Sequence, residues 1–273
     1  MLNLANDLRQ LPIYWYRMAR ARGGMEGTVH KHAYGPHRRQ YYLLLEPAGA
    51  RPTDARPWAF YFHGGAWTFG TPEAFRPAAT PWLEAGFRVV LPSYRRPPRY
   101  RMPKIVADCR AVIADVARLA EATGRPLGER IEVAGISAGG QLAALTALRP
   151  DWWTANGWPA GPGKCPCFAA PLDLLHLRPR RLFKDYAQLN PAELLRTTEL
   201  RGAREWLFLH GDQDGMVDRI HTQTFAGLLQ KTDGARICEY RIKGGGHLDA
   251  GRWSYDAHDP YRTIVRDFIA GGS

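Results

Sequence analysis

The sequence predicts an α/β fold with a mostly parallel central sheet, helices on both faces and a small helical insertion. Three observations predict it. Short apolar runs alternate with helical patterns along most of the chain. Several of the apolar runs end directly in a turn carrying glycine, as at His63-Gly64-Gly65, Gly135-Ile136-Ser137-Ala138-Gly139-Gly140 and Gly244-Gly245-Gly246-His247. The 273 residues contain no internal repeat, low-complexity tract or long linker, so one large domain accounts for the whole length.

The elements follow in order. Leu2 to Ala21 forms an amphipathic helix ending in a basic cluster. It is expected to pack on the domain, with a membrane-surface anchor as the alternative. Gln40 to Glu46 reads as a strand rich in Tyr and Leu, and Trp58 to Phe62 as a second. Thr71-Pro72-Glu73 has the form of an N-cap followed by proline at the first helical position. Phe87 to Tyr94 is the next strand. Ile105, Cys109, Val112, Val116 and Leu119 recur at steps of four and three, one face of a helix that stops at Gly124. Ile131 to Ala134 is a strand and Gln141 to Leu148 a helix. Asp151 to Pro166 reads as loop and Phe168 to Leu172 as a strand. Residues 174–203 exceed a usual strand-to-helix connection and read as a small cap insertion within a single domain. Glu205 to His210 and Arg236 to Ile242 are the last strands, with a helix from Ile220 to Gln230 between them and a closing helix from Asp259 to Ile269.

Composition excludes several classes. Hydrophobic residues make up 45% and charged residues 23%, which suits a soluble globular protein. No run approaches the roughly 18 uncharged apolar residues that span a bilayer. Asp7, Arg9 and Arg17 interrupt the apolar stretch at the N-terminus, so no secretory signal is read there and a cytoplasmic location is expected. The four cysteines, Cys109, Cys165, Cys167 and Cys238, form no CxxC pair, and no histidine cluster completes a zinc set. No metal and no cofactor are expected. The net charge of +11 comes mainly from arginine spread over several short runs. Without a recognition motif this reads as solvated surface, and no specific nucleic-acid partner is expected. The expected partner is a small ester or acyl substrate, and a homodimer is compatible with the sequence.

The chemistry concentrates in four places. Gly135-Ile136-Ser137-Ala138-Gly139 follows an apolar strand and precedes an apolar helix, the context that makes G-x-S-x-G a nucleophile turn. A sharp turn there exposes the hydroxyl, and side chains two residues before and after it would collide. A phosphate loop is disfavoured because neither GxxxxGK[ST] nor GxGxxG occurs at the strand end. His63-Gly64-Gly65-Ala66-Trp67 follows another strand. Acyl transfer builds charge on a carbonyl oxygen, and small residues let backbone N–H groups approach it, so Gly64, Gly65 and Ala138 are the candidate oxyanion donors.

A serine hydroxyl needs a base, and the base needs a carboxylate to hold its tautomer. His210-Gly211-Asp212-Gln213-Asp214 follows one late strand and Gly244-Gly245-Gly246-His247 the next. Asp214 and His247 are therefore the first choice. Asp212 and Asp218 compete with Asp214, and His258 with His247. Asp218 is placed to cap the helix near Ile220, and His258 precedes a helix start. His63 is expected to brace the oxyanion turn. Trp67, Trp152 and Tyr186 are candidates to line a substrate pocket, against the ordinary expectation that tryptophans are simply buried.

Together these motifs resemble the α/β-hydrolase superfamily from about Tyr41 to Ile269. HGGAW and GISAGG are most similar to the bacterial esterases related to feruloyl and acetyl-xylan esterases, and to the kynurenine formamidases with their HGGxW motif. The resemblance implies an α/β-hydrolase fold with Ser137 as nucleophile, His247 as base and Asp214 as acid. It also implies a structural aspartate at Asp173. Ala66 stands where lipases of the HGGG type carry a third glycine, and Asp218 where the family's HGxxDxxVP pattern ends in proline. The function implied is that of a serine carboxylesterase acting on small or aromatic esters. An arylformamidase is the alternative, a peptidase a weaker one, and a catalytically silent binding protein on the same scaffold the reading from another class.

Overall fold

Ser137, Asp214 and His247 stand in the segments that directly follow three of the strands of this chain. The computed structural model describes residues 2–21, 27–177, 189–197, 202–232 and 234–271. The N-terminal helix α1 spans Leu2–Ala21. Strands β1 (Thr28–Ala33), β2 (Tyr41–Glu46) and β3 (Trp58–Phe62) follow. Next come a 3-10 helix at Pro72–Ala79, helix α2 (Thr80–Glu84), strand β4 (Arg88–Pro92) and helix α3 (Met102–Ala122). Strand β5 (Ile131–Ile136) leads into helix α4 (Ala138–Ala147), the short helix α5 (Pro150–Thr154) and strand β6 (Lys164–Phe168). Helix α6 (Pro191–Thr197), strand β7 (Glu205–Gly211), helix α7 (Ile220–Leu229) and strand β8 (Arg236–Ile242) come next. A 3-10 helix at Leu248–Ser254 and helix α8 (Pro260–Ala270) close the described chain.

The sheet runs β1-β2-β4-β3-β5-β6-β7-β8. β1 pairs antiparallel with β2, and β2 antiparallel with β4; from β4 to β8 every pair is parallel. Strands buried on both faces read as continuous apolar runs, and β3 shows how they divide. Trp58, Phe60 and Phe62 enter one core with Ile105, Cys109, Val112 and Val116 of α3. Ala59 and Tyr61 enter the other with Trp82, Val265 and Phe268. The two-residue alternation of the strand thus feeds two separate cores, one on each face. No helix among the described residues is long and apolar enough to cross a membrane.

Two strands and the short helix α5 differ from the sequence reading, Asp151 to Thr154 of α5 lying in the segment read as loop. The strand expected at Phe168–Leu172 is β6 at Lys164–Phe168, in a segment read as loop. Pro166 stands in its middle, and proline ordinarily argues against a central strand. Its register with β7 is continuous through Pro166, whereas pairing with β5 skips Cys165 and Pro166. The missing N–H is thus accommodated on one side only. Strand β1 is the other strand that differs. Its TVHKHA sequence has the polarity of an edge and no apolar pattern, and five of its six residues are exposed. Of the expected cap insertion, residues 178–188 and 198–201 lie outside the described residues. Its described parts include α6, whose Ala192 and Leu194 join the core. All four cysteines carry free thiols.

Candidate active site

Ser137 occupies the turn between β5 and α4 at φ 54° and ψ −127°, a left-handed backbone that L-residues rarely adopt. The turn is held at both sides. Ser137 N donates to Phe168 O at 2.8 Å, and Gly140 N donates to Ser137 O at 2.9 Å. The flanking glycines are required by contact. A Cβ on Gly139 would stand 2.0 Å from Phe62 O, and one on Gly135 would stand 2.4 Å from Gly139 O. The first turn of α4 therefore presses against the ends of β3 and β5, and only glycine permits that approach.

His247 follows β8, and its Nε2 lies 2.9 Å from Ser137 Oγ. Its Nδ1 lies 2.7 Å from Asp214 Oδ2, in the loop after β7. The other oxygen of Asp214 accepts from Met216 N at 2.8 Å and Val217 N at 2.7 Å. A carboxylate accepts only, so the proton of His247 sits on Nδ1 and leaves Nε2 as an acceptor facing the serine hydroxyl. The Asp214 side chain is fully buried. Burial alone would raise its pKa, but the charges and hydrogen bonds of His247 and His210 hold it well below the carboxylate range. Burial likewise disfavours the charged form of His247, and Asp214, with a contribution from Asp7, outweighs it to raise the pKa.

The competing residues lie elsewhere. Asp212 accepts from Gly244 N at 2.7 Å and pairs with Arg241 at 3.2 Å, tying two loops together. Asp218 accepts from the N–H of Ile220, the first residue of α7, at 2.8 Å. His258 is exposed. His63 is buried under the oxyanion turn with Nδ1 2.8 Å from Gly64 O, stacked on Tyr94. Burial and the neighbouring Arg96 push its pKa down to about 3, so it is a neutral brace. Asp173 accepts from Leu175 N, Asn190 Nδ2 and the Arg196 guanidinium, all structural contacts.

A cavity of about 310 Å³ opens at Ser137 and His247, with Gly64, Gly65, Trp67 and Ala138 on its wall. Trp67 is fixed by an Nε1–H donated to Gln141 Oε1 at 3.1 Å. Trp152 does not reach this cavity. It is buried in the core on the α3 face, with the guanidinium groups of Arg110 and Arg149 against its ring. Its place on the short helix α5 turns it away from the strand ends, which corrects its assignment to the pocket. Tyr186 lies outside the described residues.

Sequence reasoning missed the share of α1 in this site. Leu11, Tyr14 and Trp15 line the cavity, and Asp7 accepts hydrogen bonds from Gly215 N at 2.8 Å and His247 N at 2.9 Å. A signal was present: Asp7, Tyr14 and Met18 share one helical stripe, and a carboxylate on an otherwise apolar stripe must find donors when buried. Among the described residues, no group of three or more His, Cys, Asp or Glu side chains is placed to hold a metal ion.

Comparison with known proteins adds three kinds of likeness. Residues 59–160 match a family model described as the alpha/beta hydrolase fold. The chain is 36% identical over 101 residues to a probable carboxylic ester hydrolase, LipM, of Mycobacterium tuberculosis, covering 36% of this chain and 23% of that protein. It is 32% identical over 170 residues to Lipase 2 of a Moraxella species, covering 57% of this chain and 39% of that protein. The matches thus span about a quarter to two-fifths of the length of these two relatives. Among solved structures, a truncated carbohydrate esterase from gut microbiota superposes with a TM-score of 0.75 at 18% identity, covering 90% of this chain and 96% of that one. A thermophilic esterase of Thermogutta terrifontis with butyrate bound gives a TM-score of 0.71 at 22% identity, covering 89% and 92%. At these identities the likeness is one of fold.

Proposed function

We propose that this chain, whose fold is that of the α/β hydrolases, is a serine carboxylesterase that cleaves small or aromatic carboxylic esters through an acyl-enzyme on Ser137. The observation that carries the reading is the chain of contacts from Asp214 through His247 to Ser137, at 2.7 and 2.9 Å. The relatives named as carboxylic ester hydrolase and lipase support it.

In this reading Ser137 Oγ attacks the ester carbonyl while His247 Nε2 takes its proton. The imidazolium that forms is held by the Asp214 carboxylate. Backbone N–H groups of Gly64, Gly65 and Ala138 meet the oxyanion, each donor being worth about 10²–10³ in rate where such groups have been removed elsewhere. His247 then protonates the leaving alcohol, and water repeats the sequence on the acyl-enzyme. Leu177, near the start of the segment 174–203 that we read as a cap insertion, stands on the cavity wall.

The lining argues for a neutral, apolar substrate. Among the described residues around the cavity there is no carboxylate, ammonium or guanidinium, while Leu11, Trp15, Phe69, Phe75 and Leu248 supply apolar and aromatic surface. Among the described residues, the basic exterior does not extend into the cleft.

Parallel kinetics on p-nitrophenyl acetate, a feruloyl ester and N-formylkynurenine test this reading. Higher kcat/KM on the two esters is expected. Preference for the formyl amide would replace it with arylformamidase activity, and no turnover on any of the three would refute it.

A further inference from the structure

The geometry points to Asp7, on the N-terminal helix, as a positioning residue that ties the acid-bearing loop to the base-bearing loop. This inference rests on the reading of Ser137, His247 and Asp214 as the reacting groups.

Asp7 is 1% exposed. Its Oδ2 accepts from the backbone N–H of Gly215, the neighbour of Asp214, and its Oδ1 from the backbone N–H of His247 itself. One carboxylate on α1 thus bridges the loops after β7 and β8, which carry the two residues that must stay 2.7 Å apart. The loops also share direct bonds, Gln213 N to Gly245 O and Gly244 N to Asp212 Oδ1. Those bonds stop short of the base, whereas Asp7 grips the His247 peptide itself, at the end of the loop that aims the imidazole.

Both loops are shaped to admit the helix. A Cβ on Gly246 would lie 2.1 Å from Asp7 Oδ1, and one on Gly215 would lie 2.2 Å from Leu4 N. Neither glycine has the left-handed φ that would itself require glycine, so the close approach of α1 is the reason for both. The glycine run before His247 is in this respect a berth for the Asp7 carboxylate.

The arrangement carries a cost. Burial raises the pKa of Asp7 despite its two backbone donors, and the nearby Asp214 charge adds to the rise. A fold seeking stability alone has little use for a second buried carboxylate beside Asp214. A carboxylate here does two things for His247: it fixes the main chain and adds negative charge that favours the imidazolium formed in reaction. The groups that set this field are Asp7 from α1, Asp214 with His210 behind it from the β7 side, and Asp249 from the base-bearing segment, which accepts from Gly246 N at 2.8 Å.

The test uses Asp7→Asn, Asp7→Ala, Gly246→Ala and the double variant Asp7→Ala/Gly246→Ala in the full chain, with p-nitrophenyl acetate as substrate. Asp7→Asn keeps the shape and removes the charge and one acceptor. Its kcat is expected to fall about ten-fold with KM changed less than about two-fold, since positioning acts on the reacting state more than on substrate binding. The acidic limb of its pH–rate profile should move to lower pH, because a negative charge that favours imidazolium is gone. Gly246→Ala should reproduce the loss by displacing the carboxylate. The double variant should then lose no more than Asp7→Ala alone, since the added methyl group has no carboxylate left to displace. An Asp7→Asn protein with normal melting, wild-type kcat and an unmoved acidic limb overturns the inference, as does a double variant whose loss is the product of the two single losses. If the wild-type protein hydrolyses no ester and a fluorophosphonate does not label Ser137, the function proposed above fails instead. The His247 titration followed by NMR still decides the role of Asp7: its pKa falls in Asp7→Asn, or the inference is wrong.

Discussion

His210 Nε2 lies 3.2 Å from Asp214 Oδ2, the same oxygen that His247 Nδ1 approaches at 2.7 Å. The Asp214 carboxylate is therefore shared between two imidazoles. His210 Nε2 also lies 2.9 Å from Val217 O, and its Nδ1 lies 2.8 Å from Thr222 Oγ1. With the proton on Nε2, His210 donates toward the carboxylate and the carbonyl while accepting from Thr222. His210→Ala should remove a buried bond to a charged group, worth about 1.5–3 kcal/mol. Urea unfolding should show a loss of that size, and kcat should fall about ten-fold as Asp214 loses its second support. An unchanged kcat would mean that the backbone donors of Met216 and Val217 suffice to hold Asp214.

Ser137→Ala should abolish turnover, by at least about 10³-fold, and leave the circular dichroism spectrum unaltered. The alanine keeps the left-handed turn, whose geometry is imposed by Gly135 and Gly139 packing against their neighbours. A folded Ser137→Ala protein with near-wild-type activity would show that the nucleophile lies elsewhere.

Asp214→Asn and Asp212→Asn separate two neighbouring carboxylates. Asp214 faces His247, whereas Asp212 faces Gly244 N and Arg241. The first change should cut kcat by about 10⁴, since an asparagine permits the wrong imidazole tautomer. The second should stay within about three-fold. A reversal of that order in steady-state kinetics would move the acid to Asp212.

Activity should fall on the acid side as His247 takes up a proton, because the base must be neutral to accept from Ser137. Asp214 and Asp7 outweigh the effect of burial and raise its pKa, so the midpoint of the acidic limb in kcat/KM should lie above the ordinary histidine value of about 6.5. A midpoint clearly below that value would contradict the described environment.

Glu132 gives a prediction about stability alone. It is buried on β5, with Trp82 Nε1 donating to it at 2.8 Å and Arg130 at 3.1 Å. Burial pushes its pKa up to about 7. The folded protein thus binds this proton more tightly than the unfolded chain does. Its contribution is complete below the unfolded carboxylate value and is lost as pH rises through about 7. Glu132→Gln should therefore stabilise the protein at pH ~8 by something on the order of 3 kcal/mol and do little at pH ~4. Melting curves at the two pH values check this; an equal shift at both would attribute the effect to packing.

The fold was legible where an apolar or alternating run ends in a glycine turn, whether the strand is buried like Trp58–Phe62 or a largely exposed edge like Arg236–Ile242. Trp58 to Phe62 and Arg236 to Ile242 have the same ends in sequence reading and structure. It was least legible at β6, where Pro166 disguises a central strand, and at β1, where an exposed edge carries no apolar pattern. At the site, the strand-end motifs singled out Ser137, Asp214 and His247, which the structure brings into one chain of contacts, because loops at the ends of parallel strands carry local turn chemistry. Trp152 was misplaced because nothing in its neighbourhood tells a cavity wall from a core. Asp7 was missed because the helical stripe marks it as buried without naming its partners, Gly215 and His247, which are remote in the chain.

The bond from His247 to Asp7 closes a loop of 240 residues and the bond from Gly215 closes one of 208. Contacts of such separation carry a large closure entropy and form only after shorter-range structure is in place. During synthesis α1 therefore waits for the loop after β8 before its carboxylate finds both donors. Competence of the reacting centre is thus a report on completed folding: a chain that has formed its sheet but not seated α1 would hold Ser137 in its turn and still lack a braced base.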